Sequence, residues 1–514
     1  MAQGVFTPYS GIEALIQTPP SWVPQLDQSR IASYQIYEEI YWTHSETFKM
    51  VLRGDEGNPI YLPTARSIVE TINRYTGKDP RIAADPLLGT PEQRTLLDAS
   101  FGALFKRERF YSTYAMNKRY GIMRGDWLFH VTADETKLPG TRISIRAIDP
   151  ASYFTVPDPE NEERIWKVHI AEPIVDAEGN QRVRRQTYMK DAVSGVISYS
   201  IMDFEVDKWA KADDPAERDE ATEVLVPWTA LDNRITAFPV YHIPNFEEPG
   251  NPYGSSEIRG FEALLKGLNQ GTTDEDIALA LEGLGLYTTD GAGPVDEDTG
   301  EDIDWVIGPG RVVENAPGFK RVNGIQSVAP YQDHLKWLKD NLTEASVTKE
   351  ALNIDVAVAQ SGIALSLRMG PLLERAQEKD LIIEGIINQM MFDLSQMWYP
   401  VYEQTDFGTY DPLNPTSAAV PVITFGDKMP HNRPEEVTLW TALCTTDPPI
   451  ASVQTAREEL AKRGFTFAAD EEARIEAQLQ AATERSVAAD PFAARANAEL
   501  AGQNGDQGAP VNAS

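Results

Sequence analysis

The sequence predicts an α+β protein in which helices precede and follow a mainly antiparallel sheet. Three observations predict it. Helical periodicity dominates residues 30–120, and the period changes to two between 126 and 245. Residues 251–400 then read as helix, short β insert, helix, polar loop and one very long helix. At 514 residues the chain has room for roughly three domains. Its 42% hydrophobic content is that of a folded protein.

Residues 1–29 carry many Pro, Gly and Gln residues and read as an irregular arm. Residues 30–53 read as a helix whose aromatic stripe, Tyr34, Tyr37, Tyr41 and Trp42, suits core packing. A second helix covers 63–76, with Pro63 near its start. Thr90 as N-cap, Pro91 at the first helical position and Gln93 at the third make a capping box. That helix is expected to run to about Tyr120. From 126 to 245, WLFHV, RISIRAI, IWKVHIA, VRRQTYM, GVISYSI, TEVLVPW and FPVYHIP read as strands. Turn signals lie between them at Glu178-Gly179-Asn180 and Asp191–Gly195.

A turn, Asn251-Pro252-Tyr253-Gly254-Ser255-Ser256-Glu257, opens the next section. The helix after Gly254 sets Ile258, Phe261, Leu264, Leu265 and Leu268 on one face, with Glu257, Arg259, Glu262 and Lys266 off it. A β-like insert runs from 286–293 through 321–328, a helix covers 330–346, and a polar loop, VTKEALNIDVAVAQS, covers 347–361. The long helix spans about 362–398. Pro371, after Gly370, removes a backbone donor and meets the carbonyl of Leu367, so a bend is expected. Beyond it, Leu372, Leu373, Ala376, Leu381, Ile383, Ile387, Met390, Met391, Leu394 and Trp398 are dense enough for burial on more than one side. Cover for the earlier apolar stripe comes partly from 331–345. The rest comes from neighbouring copies in a ring or from an ordinary bundle. A Pro- and Asn-rich connection (411–420), a strand (VPVITFG) and a helix starting at Pro434 follow. Two short stretches with i,i+4 Glu/Arg spacing come next, and from about 487 the composition reads as a disordered tail.

The net charge of −32 argues against holding nucleic acid by phosphate neutralisation and suits a soluble, self-repelling chain. A single cysteine, Cys444, leaves no intrachain disulfide or thiolate cluster and fits a reducing cytoplasm. No signal peptide is read at the N-terminus. The longest apolar run, Leu381–Phe392, is broken by Glu384 and too short for a bilayer, so no membrane partner is expected. The motifs GxxxxGK[ST], GxSxG and HExxH are absent. Histidines 44, 130, 169, 242, 334 and 431 have no metal-ligand spacing; His242 and His334 read as polar neighbours within a fold. Gly308-Pro309-Gly310 reads as a turn.

The best metal candidate is the run Asp296-Glu297-Asp298-Thr299-Gly300-Glu301-Asp302-Ile303-Asp304. Gly at its fifth position and the lack of a Glu at the twelfth miss the EF-hand pattern, so a solvated acidic loop is the plainer reading. No cofactor is expected. With 78 acidic residues, paired carboxylates carry no information about catalysis. Lys106, Arg107 and Arg109, Lys118 and Arg119, and Arg182, Arg184 and Arg185 read as solvated faces or intersubunit pairs. No aromatic–basic stacking platform appears.

The order of elements at 251–400, and the phrase NPYGSSEIRGFEALLKGLNQ within it, resemble the portal (head-to-tail connector) proteins of tailed bacteriophages. The phrase is most similar to the branch found in phages of actinobacteria. A helix leading through Gly121-Ile122-Met123-Arg124-Gly125-Asp126 into a strand resembles the wing domain of that family. The resemblance covers nearly the whole chain. It implies a portal fold: arm 1–29, α/β wing 30–250, stem helix 251–285, clip 286–329 and second stem helix 330–346. A tunnel loop at 347–361, a kinked long helix with wing return at 362–440, a helical crown at 441–486 and a tail at 487–514 complete it. It further implies a virion protein with no covalent chemistry, assembled in the host cytoplasm into a ring of about twelve copies at one capsid vertex. Double-stranded DNA would pass through without sequence recognition. The implied partners are the terminase large subunit, a head-tail adaptor, and the major capsid and scaffold proteins. Lys349, Glu350, Asn353, Asp355, Gln360 and Ser361 are the implied pore-facing residues, and Gly370 and Pro371 the kink. Asp296, Glu297, Asp298, Glu301, Asp302 and Asp304 would form an acidic clip loop. Two alternatives stay open. An acidic cytoplasmic enzyme with a motifless carboxylate site needs a deep pocket and turnover; another ring-forming or capsid structural protein needs neither. The helix–insert–helix order and the Pro-bearing long helix argue against both.

Overall fold

Helix α1 (Gln25–Trp42) begins within the stretch expected to be an arm and ends well short of residue 53. The physical reason is Thr43, whose φ of 59° is left-handed and breaks the helical ladder. Tyr34, Tyr37 and Tyr41 are buried as the stripe predicts, whereas Trp42 is exposed. Helix α2 (Thr64–Tyr75) follows, with Pro63 at its N-cap. These lie in a computed structural model that describes residues 25–44, 59–158, 161–176, 178–205, 222–248, 251–284, 286–288, 320–322, 329–346, 362–426, 428, 433–446, 452–462, 474–478 and 480.

Strand β1 (Arg81–Ala84) precedes helix α3 (Pro91–Glu108). The capping box is formed in both directions: Thr90 N–H donates to Gln93 Oε1 at 2.8 Å, and Gln93 N–H to Thr90 Oγ1 at 3.3 Å. Such caps stabilise a helix by about 1 kcal/mol. The expected run to Tyr120 is two helices, because Arg109 adopts φ 52°, ψ 40° and turns the chain into α4 (Phe110–Arg124).

All strand pairings among the described residues are antiparallel. They form two main sheets where the sequence suggested one. The first contains β2 (Asp126–Ala133), β3 (Ile143–Ile148) and β9 (Val240–Pro244), with β2 central. The second runs in chain order through β4 (Tyr153–Asp158), β5 (Asn161–Val175), β6 (Gln181–Lys190), β7 (Ile197–Glu205) and β8 (Glu223–Ala230). Both predicted turns join its strands, closed by Asp176 N–H to Asn180 O at 3.0 Å and Gly195 N–H to Asp191 O at 2.9 Å.

Helix α5 (Glu262–Leu284) starts later than expected, because Ser256–Phe261 form successive turns. Its tip carries strands β10 (Leu286–Thr288) and β11 (Lys320–Val322), an antiparallel pair that leads back into α6 (Ala329–Ser346). α5 and α6 approach closely at glycine: a Cβ on Gly271 would overlap Leu335. Helix α7 (Gly362–Asp393) continues in a wider π-helical stretch, Leu394–Glu403. Strand β12 (Pro421–Thr424) then returns to pair with β1.

Four apolar cores form among the described residues, the smallest around Phe154, Ala171, Val183, Met202 and Phe204. The first holds Leu97, Phe101, Phe110, Tyr114, Trp127, Phe129, the rear of α7 from Ile383, and Leu394, Trp398 and Tyr399 of the π-helical stretch. The second gathers α1, α2, the end of α4, α5, α6 and the front of α7 at Met369 and Leu372. The third, between the two sheets, contains Leu128, Tyr153, Val168, Tyr188 and Ile197. Leu128 and Phe129 serve different cores because successive strand residues face opposite ways. Leu381, expected inside, is 64% exposed.

A second compact unit covers Met429–Ser514 and contains helices α8 (Arg433–Thr445) and α9 (Val453–Lys462), which pack on each other. α8 runs across the expected division at 440/441. No helix among the described residues is long and apolar enough to cross a membrane.

Candidate functional site

The two phrases that carried the resemblance meet in space. Gly125 ends α4 with φ 115°, which suits a residue lacking Cβ. A Cβ on Gly254 would overlap the Gly125 carbonyl and the Asn245 N–H, so glycine is required there too. Asn245 N–H donates to Gly125 O at 2.7 Å, Glu257 N–H to Ile122 O at 3.1 Å, and Ser256 Oγ to Met123 O at 2.5 Å. The segment from Asn251 to Glu257 is thereby bonded to the end of α4 and to the strand end that precedes it.

Asp126 is the acceptor at the centre of this junction and is buried. Its Oδ1 receives the Gly254 N–H at 2.6 Å and lies 2.6 Å from His242 Nε2, while Tyr34 Oη donates to Oδ2. Burial holds the Tyr34 hydroxyl well above its usual range, so it stays a donor. Arg30 closes the outer side, donating to Pro150 O at 2.8 Å and Tyr153 O at 2.9 Å, with its guanidinium 3.9 Å from the Tyr253 ring centroid. Arg124, buried, pairs with Glu38 at 2.6 Å and Asp149 at 2.8 Å. Its charge is retained because two carboxylates offset the desolvation.

On the inner side the junction grips α7. Glu257 receives Arg375 at 2.5 Å and Lys379 Nζ, which also bonds the Asn245 side chain. Lys379 sits 3.7 Å from the Phe246 ring centroid. Burial lowers the Lys379 ammonium to about 8, an effect that neighbouring Glu257 only partly counters. Pro371, exposed, lies inside α7 two turns before this grip, and a Cβ added to Gly370 would meet open space.

The tunnel-loop candidates Lys349, Glu350, Asn353, Asp355, Gln360 and Ser361 lie outside the described residues. So do the acidic candidates Asp296, Glu297, Asp298, Glu301, Asp302 and Asp304, with Gly308–Gly310. Among the described residues, no group of three or more His, Cys, Asp or Glu side chains could hold a metal ion. His242 is a polar neighbour of Asp126, and His334 stacks on Trp337 at 5.9 Å between centroids. Of the basic clusters, Lys106, Arg107, Arg109, Arg119 and Arg184 are exposed, as expected of solvated faces, and Arg182 is partly so. Lys118 and Arg185 are buried, Arg107 donates to the Gly140 and Ile143 carbonyls, and Arg184 pairs with Asp203 at 2.9 Å.

Asp126, Glu257, Arg375 and Lys379 were not singled out from the sequence as interacting groups. Glu257 and Arg375 are 118 residues apart, and only folding brings them together. One signal was available: charged residues at 375 and 379 fall at i,i+4 amid a helix otherwise rich in buried apolar positions.

No family model matches the sequence, and no curated protein does. Among solved structures, a chain of the "Virion of native gene transfer agent (GTA) particle" aligns at 12% identity and a TM-score of 0.41, over 86% of this chain and 95% of that one. A chain from the "Neck of empty GTA particle computed with C6 symmetry" aligns at 12% and 0.44, over 87% and 96%. A third, from the "Neck of native GTA particle computed with C12 symmetry", aligns at 13% and 0.39, over 80% and 97%. Similarity at this level carries no argument about function.

Proposed function

We propose that this chain is a portal subunit of a tailed phage or phage-like particle, of the branch typified by actinobacterial phages, and that it works as a ring with no covalent chemistry. One observation carries the reading. Helices α5 and α6 pack as a pair, with a small antiparallel strand pair following α5 and preceding α6, and join the sheets through the junction that also grips the long Pro-containing α7. In this reading α5 and α6 are the stem and the 286–329 insert is the clip. The segment 347–361 is the tunnel loop and α7 the kinked helix behind it. The terminase large subunit and a head-tail adaptor dock on the clip. The major capsid and scaffold proteins surround the ring.

The charge supports a sliding mechanism. About twelve copies at −32 each give a ring of roughly −384 formal charge, which repels a passing phosphate backbone. Lys118 is turned inward onto backbone carbonyls and Arg184 is paired with Asp203, which lowers their availability to phosphates. Light scattering and negative-stain microscopy of the purified protein test the proposal. Rings of about 0.7 MDa with a central hole, from a chain of 57.1 kDa, support it. A chain that stays a compact monomer with capsid and scaffold proteins present ends it.

A further inference from the structure

Two helices cross from one apolar core into another, and both carry buried polar side chains at the crossing. On α4, Phe110 and Tyr114 belong to the first core and Ile122 and Met123 to the second. Asn117 and Lys118 lie between them, each 6% exposed. On α7, Met369 and Leu372 belong to the second core and Ile383 and Ile387 to the first. Arg375, Lys379 and Asp380 lie between. The crossings are linked through the turn after α2. Lys118 Nζ faces the carbonyls of Asn73 at 3.1 Å, of Thr76, and of Gly77 at 3.4 Å. Gly77 N–H donates to Asp380 Oδ1 at 2.7 Å, and Lys428 Nζ pairs with Asp380 Oδ2 at 2.9 Å. Lys379, the preceding residue, reaches the other way, to Asn245 and Glu257.

We propose that this polar layer is a slip plane between the first and second cores, with α4 and α7 as the rods that cross it. Interdigitated apolar side chains must separate before two packed bodies can shift, which makes packed cores move as blocks. An ammonium on a flexible stem facing several carbonyl oxygens does not carry that restriction. Lys118 has three such acceptors, and Lys379 has the Asn245 carbonyl, the Asn245 side chain and Glu257. Each can exchange one acceptor for the next while remaining bonded. The layer thus keeps the polar groups satisfied in more than one relative position of the two cores. This holds whether or not the chain forms rings.

The test is a distance measurement by double electron–electron resonance on the full chain in a Cys444→Ser background. Spin labels go at Leu96→Cys on α3, beside the first core, and at Trp337→Cys on α6, beside the second; both native side chains are exposed. Labelled chains are diluted into excess unlabelled protein, so that any ring contributes only distances within one copy. The expected result is two populations, or one broadened by a shift on the order of 2 Å. Lys118→Met and Lys379→Met, which replace exchangeable bonds with apolar contact, should each collapse it to one narrow distance. A single narrow distance in the unsubstituted layer overturns the proposal. So does a broad distribution that folded Lys118→Met and Lys379→Met leave unchanged. If neither variant folds, the width in the Lys118/Lys379 background decides alone.

Discussion

Single residues set the limits on what this chain tolerates. Gly254→Ala forces a methyl group into the backbone of Gly125 and Asn245, so it should destabilise by roughly 1–3 kcal/mol in urea unfolding. An unchanged midpoint would mean the junction relaxes freely. The buried histidines set the acid side of the stability profile. His130 lies 2.8 Å from Tyr188 Oη and His169 2.9 Å from Thr187 Oγ1. Burial lowers His130 to about 3 and takes His169 well below its ordinary value. Both are neutral in the folded chain while the unfolded chain protonates them below about 6.5, so stability falls with acidity between about pH 6.5 and 3. Asp393 acts in the opposite sense: burial raises its carboxyl, so its contribution falls as pH rises through the ordinary carboxylate range. His130→Gln should flatten the acid slope by up to about 1.4 kcal/mol per pH unit, read from unfolding midpoints at pH 5, 6 and 7. An unaltered slope would remove His130 from the account.

At the scale of elements, glycines of different kinds separate by what surrounds them. A Cβ on Gly271 would push the Leu335 methyl aside, whereas Gly370 has no such neighbour and sits before Pro371 inside a helix. Gly370→Ala should therefore stabilise by roughly 1 kcal/mol, and replacing both residues by alanine should stabilise further. If the bend serves DNA passage, the same Gly370-Pro371→Ala-Ala change should impair packaging. Normally filled capsids in that mutant would end the bend's proposed role. Elements with a strong local signal were legible from the sequence: the capping box at Thr90, the alternating strands, and the presence of β pairing in the insert between α5 and α6. Missed features depended on single backbone angles or distant partners. Arg109 and Thr43 carry left-handed backbone that no periodicity announces. β1 is four residues long and exists because β12 lies beside it. Of the candidate site, the glycine-bearing turns at Gly125 and Gly254 were legible as turns; the gripping charges were not, because their partners come from another part of the chain.

For the whole molecule, the charge makes a direct prediction. A chain at −32 should leave linear double-stranded DNA unretarded in gel-shift experiments at moderate salt. Tight, steeply salt-dependent binding would point to a concentrated basic surface and would sink the sliding mechanism. The first core joins parts that lie far apart in sequence, which bears on synthesis. Arg81 pairs with Thr424, 343 residues later, and the same register aligns Ala84 with Pro421. The first core includes both Leu97 and Ile423. At about 5–20 residues per second, a ribosome needs on the order of 20–70 s to deliver the second half of that pairing after the first has emerged. Throughout that interval the aromatic residues of α3 and α4 wait on the nascent chain without their final cover. The first core therefore cannot close on the nascent chain until residues 421–424 have emerged.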